Sequence, residues 1–342
     1  MSEPVLLADH TTLRLGGPAG RFVMATSEQQ LIDAVTAADA AGESLLLVAG
    51  GSNLVVGDAG FSGTVVKVAT RGIGLEQHDD HVLVTAAAGE AWDDFVNHCV
   101  ESGWVGVEAL SGIPGAVGST PIQNVGAYGQ EVATTISHVR VWDRKLKGVR
   151  VFPTAECSFG YRHSRFKADP GRHLVLDVTF RLPRGRHGAP IGYAELARAL
   201  GVEVGQQALL GDVRREVLRL RRGKGMVLDP ADHDTWSAGS FFTNPILDPA
   251  AARALPEDAP RWEHPDGRVK TSAAWLIEHA GFAKGHGNER VSLSTKHTLA
   301  LTNRGGASTA DLLALALEVR DGVELAFGVR LVNEPVLVGC SL

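Results

Sequence analysis

Residues 111–129, SGIPGAVGSTPIQNVGAYG, hold five glycines and two prolines in nineteen positions, and no charge. A helix would reject this density of breakers, and a solvated loop would carry Asp, Lys or Glu. Gly112, Gly115 and Gly118 recur every third residue, which fits neither a strand nor an amphipathic stripe. What remains is an uncharged segment whose backbone comes close to something else, because glycine has no side chain to hold it off. Two occupants of that space are equally open from the segment alone: a ligand, or the rest of the protein.

At 342 residues the chain is expected to form two or three domains, each able to bury a core. With 44% hydrophobic and 21% charged residues it has the make-up of a soluble globular protein. There is no run of 18 apolar residues to span a membrane, and the opening MSEPVLLADHTTLRLGG lacks the basic start and apolar core of a secretory signal. Cys99, Cys157 and Cys340 are odd in number and widely spaced. That favours a reducing, cytoplasmic setting and argues against a disulfide framework or a zinc knuckle. The net charge of −6 disfavours nucleic acid as partner.

Ser27 and Gln30 suit a capping box for a helix bearing Leu31, Ile32, Val35 and Ala38, stopped at Gly42. The buried strand 45–48 follows and runs into Gly50-Gly51-Ser52-Asn53. Residues 81–87 read as a strand, and Trp92, Phe95, Val96, Cys99 and Val100 as one face of a helix. From Leu174 to Leu182, apolar residues alternate with Val175, Asp177, Thr179 and Arg181, a half-buried strand pattern. Leu312, Leu315, Ala316, Val319, Val323 and Phe327 mark a long helix capped by Ser308 and closed by Gly328. A closing strand is expected from Val329 to Val338.

Five motifs invite chemistry. The GGSN turn offers successive N–H groups that can cradle a diphosphate, or is an ordinary turn. No G-x-G-x-x-G, Walker A, H-E-x-x-H or C-x-x-C is present, so the usual dinucleotide, P-loop and metal readings fail. Arg162, in Phe159-Gly160-Tyr161-Arg162, has the planar donor fork suited to a carboxylate, or is a surface ion pair. Ser240, in Ala238-Gly239-Ser240-Phe241-Phe242, is no G-x-S-x-G nucleophile; it is either a proton donor to a very basic carbon or a helix cap. Glu334 before Pro335 sits at a solvated strand edge or in a site. Residues 214–224 hold six basic residues among apolar ones, read mostly as a helix with a solvated face; Lys224, between two glycines, can reach a phosphate or carboxylate.

Taken in order, these segments resemble the bacterial UDP-N-acetylenolpyruvoylglucosamine reductases (MurB). TTLRLGG, AGGSN, the glycine segment, ECSFGYRHSRFK, AGSFFTNP, AAWLIEHAGF and NEPVLVG carry the likeness through nearly the whole chain. The resemblance implies an α+β FAD-binding fold of the vanillyl-alcohol-oxidase or p-cresol-methylhydroxylase (PCMH) type. Subdomains 1–70 and 71–224 would clasp non-covalent FAD, the PCMH-type region running from about 16 to 185. Residues 225–328 would bind substrate, and 329–342 would return as a strand to the active site.

The same resemblance implies that NADPH reduces the flavin and leaves before the UDP-sugar enolpyruvyl ether enters overlapping space. Hydride then passes from the flavin N5 to C3 and a proton to C2, giving UDP-N-acetylmuramate for peptidoglycan synthesis. Arg162 and Glu334 would flank the substrate carboxylate, Glu334 either protonated or polarising the enol. Ser240 would donate the C2 proton, helped by Lys224. Tyr161, Asn244 and Tyr193 match substrate contacts, Tyr193 closing over the diphosphate as in the longer subclass. Gly50, Gly51, Ser52, Asn53, Gly112, Ile113, Ser119, Asn124 and Gly126 match flavin contacts. Lys296-His297 stands where some relatives carry glutamines, and no contact is transferred to it. The expected partner is the small-molecule substrate, with no nucleic acid, membrane or metal; the expected assembly is a monomer, fixed by no residue pattern. The rivals are another PCMH-type oxidoreductase acting on a sugar or alcohol, which commonly tethers its flavin through His or Cys, and a non-catalytic nucleotide-sugar-binding protein, which would have lost Ser240, Arg162 or Glu334.

Overall fold

Ser27 starts the helix Glu28–Ala40, its hydroxyl accepting from the Gln30 N–H. The return bond expected of a capping box goes one residue further back, because the Gln30 side chain accepts from the Thr26 N–H at 3.0 Å. Leu31, Val35 and Ala38 are the buried face. The computed structural model describes residues 4–264 and 266–342. Met1, Ser2 and Glu3, which open the expected subdomain 1–70, and Pro265, within 225–328, lie outside them.

The chain forms two compact units, one of residues 20–50 and 62–223, the other of 1–19, 51–61 and 224–342. In the first, strand Phe61–Val68 lies between Ala19–Ala25 and Leu45–Val48, running parallel to the latter. A second, antiparallel sheet has the order Gly148–Pro153, Ile136–Asp143, His173–Pro183, His81–Ala87, Ile73–Gln77. Helix Trp92–Glu101 packs Phe95 against Phe180, ring centroids 4.9 Å apart. The central strand departs from the half-buried expectation: residues 174–180 are buried on both faces. Its polar members are matched instead of solvated. Asp177 accepts from the Arg140 Nε at 2.6 Å and Thr179 meets Thr85 at 2.8 Å. A smaller apolar cluster joins helices Ala194–Leu200 and Leu210–Gly223 through Leu196, Val213 and Val217.

In the second unit helix Thr309–Phe327 is closed at its start by the expected Ser308 and at its end by Gly328 in the left-handed conformation. Asp58 explains why 51–61 joins this unit, since its carboxylate accepts from the Thr309 and Ala310 N–H groups at 2.7 and 3.1 Å. Strand Leu54–Val56 pairs in parallel with Val336–Val338. That short strand replaces the expected one from 329 to 338. Pro335 has no N–H to give a ladder, and ahead of it the chain makes only single bonds to the 241–243 segment.

Candidate active site

In the first unit the glycine segment is stitched to residues 88–92. Trp92 donates its N–H to the Gly115 carbonyl (3.1 Å), Val117 to Glu90 (2.9 Å) and Gly118 to Ala88 (2.9 Å). The glycines answer to this packing. A Cβ on Gly118 would stand 2.5 Å from the Ala88 Cβ, and one on Gly50 would stand 2.5 Å from the Gly115 Cα. Gly112 has φ +72°, and its N–H donates to Asp93 Oδ1 at 2.6 Å. Arg214 grips that carboxylate with both terminal nitrogens, at 2.6 and 3.0 Å. Burial pushes the Asp93 carboxyl up, but Arg214 and Gly112 together hold it below its ordinary value.

Asn124 is 1% exposed and its side chain is used within the protein. It donates to Glu131 (2.8 Å) and the Gly160 carbonyl (3.1 Å) and accepts from the Ala133 N–H (3.1 Å). Gly126 gives its carbonyl to Arg162 Nη2 at 3.3 Å, while Gly160 and His163 exchange two backbone bonds of 3.1 Å. A tight turn carrying Tyr161 and Arg162 is thus clasped to the end of the glycine segment. Asn124, Tyr128, Ser158 and Arg162 all have φ near +50°, a conformation that costs non-glycine residues about 1 kcal/mol each and gathers at functional sites. Tyr193 is 48% exposed and meets Tyr128 edge to face at 5.7 Å. Ile113 and Ser119 are half-buried along the same segment.

In the second unit the loop 237–244 carries Ser240. Phe241 and Phe242 on its far side are each 1% exposed and anchor it in the apolar core. No helix follows, so Ser240 is not a cap. The loop is tied by backbone bonds: Phe241 N–H to the Leu299 carbonyl (2.7 Å), Thr243 N–H to Val332 (3.0 Å), and Glu334 N–H to Phe241 (2.8 Å). Val336 then donates to the Asn53 carbonyl at 2.9 Å. Ser240, Glu334 and Asn53 are therefore brought to one locality by these main-chain bonds, with the Asn53 Nδ2 also donating to the Glu334 carbonyl at 3.4 Å. Asn244 Oδ1 accepts from the Ala273 N–H at 3.0 Å. Lys224 directly follows the end of helix Leu210–Gly223, and Gly225 turns with φ +66°. Gly51 is demanded by the protein itself, for a Cβ there would stand 1.9 Å from the His10 carbonyl oxygen.

Sequence reasoning noted the Lys296-His297 pair but carried no contact over to it. His297 Nε2 lies 3.5 Å from Ser240 Oγ across 57 positions, a separation with no local signature. Among the described residues no cluster of three or more His, Cys, Asp or Glu is arranged to hold a metal ion, and no helix is long and apolar enough to cross a membrane.

Residues 229–338 match the family described as UDP-N-acetylenolpyruvoylglucosamine reductase, C-terminal domain, and residues 19–148 match an FAD binding domain. A UDP-N-acetylenolpyruvoylglucosamine reductase of Cutibacterium acnes is 56% identical over 99% of this chain and 91% of its own. That of Streptomyces avermitilis is 58% identical over 98% and 94%, and that of Thermobifida fusca 57% over 99% and 98%. The crystal structure of the Thermus caldophilus reductase (MurB) superimposes with a TM-score of 0.67 at 25% identity, covering 98% of each chain. The expected α+β, FAD-binding fold class therefore holds. With such identity sustained from end to end, the chain belongs to the UDP-N-acetylenolpyruvoylglucosamine reductase family.

Proposed function

We propose the following division of labour for an FAD enzyme that reduces UDP-N-acetylglucosamine enolpyruvate to UDP-N-acetylmuramate, with NADPH as reductant, in peptidoglycan precursor synthesis. Residues 1–70 and 71–224 hold FAD, 225–328 bind the sugar nucleotide, and 329–342 bring Glu334 to the reaction. The donor set suits a flavin nucleotide: the N–H groups of Gly50, Gly51 and Ser52 give no hydrogen bond to any described residue, and three successive amides form an anion cradle. Asn53 and the Gly112, Ile113, Ser119 and Gly126 backbone line the cofactor. Asn124 supports that wall from behind, since its side chain is spent internally.

Reduced FAD supplies the hydride that reaches C3 of the enolpyruvyl group. The residues of the chain then manage charge and proton. Arg162, always cationic and braced at the Gly126 carbonyl, stabilises the negative charge that spreads onto the substrate carboxylate. Glu334 orients that carboxylate and the enol. Ser240 gives its hydroxyl proton to C2, which an enolate carbon is basic enough to take. Lys224, Tyr161 and Asn244 bind the nucleotide, and Tyr193 closes over its diphosphate.

The observation that carries this assignment is the serine loop itself, fixed by backbone bonds and two buried aromatic rings so that its hydroxyl is held in place beside the His297 imidazole. We place the enzyme in the cytoplasm, which its unpaired Cys99, Cys157 and Cys340 favour, and take it to work as a monomer; light scattering tests the latter. Purified protein is expected to be yellow, to release FAD on denaturation, and to oxidise NADPH rapidly only with the enolpyruvyl nucleotide, yielding the muramate by mass spectrometry. A colourless protein that takes up no FAD would overturn the assignment.

A further inference from the structure

His297 is held against the serine loop by a turn of its own. The buried Ser294 Oγ accepts from the N–H groups of Lys296 and His297, at 3.0 and 3.2 Å. Ala300 donates to the His297 carbonyl at 3.0 Å, and the intervening Leu299 carbonyl receives the Phe241 N–H at 2.7 Å. Imidazole and serine thus stand on adjacent, mutually bonded turns, with Nε2 3.5 Å from Oγ. That is longer than a strong hydrogen bond, as proton-transfer pairs often are before substrate tightens them. The neighbouring Lys296 is committed elsewhere, its ammonium donating to Asp232. Asp234 is satisfied by Thr295 and Arg304.

We infer that His297 acts through Ser240, as the positioning residue that orients its hydroxyl and replaces its proton. This rests on Ser240 being the donor to C2. As the enolate carbon takes the serine proton, a C2–H bond forms and the Oγ–H bond breaks. The Nε2–H bond of the imidazolium then breaks as a new Oγ–H bond forms, leaving neutral imidazole that regains a proton from water. Without such a source the serine would be left as an alkoxide. An imidazolium, with an ordinary pKa of about 6.5, yields its proton far more readily than an alcohol.

The test uses reduced holoenzyme mixed with the enolpyruvyl nucleotide in a stopped-flow instrument. Glutamine can donate a hydrogen bond over similar reach but cannot surrender a proton, so His297→Gln separates relay from orientation. Both His297→Ala and His297→Gln should reoxidise flavin roughly 10- to 100-fold more slowly, with reduction by NADPH unchanged and kcat affected more than KM. Added imidazole should restore His297→Ala and leave His297→Gln slow. In a Ser240→Ala background, His297→Ala should cause no further loss. A His297→Gln enzyme at the parent rate, a His297→Ala defect that imidazole leaves untouched, or a further loss in the Ser240→Ala background would each overturn the relay. If Ser240→Ala alone reoxidised at the parent rate, the failure would lie with the serine assignment.

Discussion

The glycine segment 111–129 and the serine loop 237–244 are both short of regular structure, yet they are packed differently: close-approaching glycines shape the first, two buried aromatic rings the second. Side chains help to hold the glycine segment: Asp93, itself gripped by Arg214, accepts from the Gly112 N–H, and Asn124 ties Glu131, Gly160 and Ala133 together. Its glycines are largely explained by neighbours such as Ala88 and Gly50. The serine loop is tied by main-chain bonds and by two buried rings, with Ser237, Thr243 and Asn244 adding side-chain bonds of their own. The Ser240 hydroxyl meets the His297 imidazole at 3.5 Å. A segment of close-packed glycines makes a wall; a loop anchored by buried rings can present a reactive group.

The comparison breaks first where backbone meets backbone. Gly51→Ala should cost roughly 3–5 kcal/mol, in the rare tail for single substitutions, because φ is +62° and the new methyl would overlap the His10 carbonyl. Chemical denaturation measures this directly; a loss under 1 kcal/mol would mean the turn relaxes freely. Asn124→Ala comes next, at about 2–3 kcal/mol for three internal bonds, and it should weaken FAD retention only in step with stability. Weaker FAD binding in a fully stable variant would instead make Asn124 a direct ligand.

Acid separates the two loops more gently. The Asp93 carboxyl titrates below its ordinary value in the folded state. A depressed folded pKa gives stability that is present above about pH 4 and is lost as pH falls through the folded value. Amide exchange at Gly112, corrected for its intrinsic rate, should therefore rise below about pH 4, while that at Phe241, bonded to the Leu299 carbonyl, should not. A rise at both would show that the serine loop also leans on a titrating anchor. The smallest expected effect is on stability in Tyr193→Phe, within about 0.5 kcal/mol because the ring is largely exposed, with KM for the nucleotide raised. An unchanged KM would remove Tyr193 from the substrate site.

Much of this was legible in the residues. Local signals placed Ser27, Ser308 and Gly328 at helix ends and the apolar faces of Trp92–Glu101 and Thr309–Phe327. What stayed hidden is long-range. Asp177 looks solvent-facing until Arg140, 37 positions away, is found beside it. The density of glycine in 111–129 announced a close approach but could not say to what, since Ala88, Gly50 and Gly192 are distant in sequence. His297 had no spacing to betray its place beside Ser240. Segment 51–61 left its sequence neighbours because Asp58 caps a helix 251 positions on.

The most direct test of a wall that holds and a loop that reacts is stopped-flow analysis of both half-reactions in Ser240→Ala. Flavin reduction by NADPH should proceed at the parent rate, while reoxidation by the enolpyruvyl nucleotide should slow by about 10²- to 10⁴-fold, the usual worth of a positioned acid. Equal slowing of both halves, or none in the second, would contradict the account.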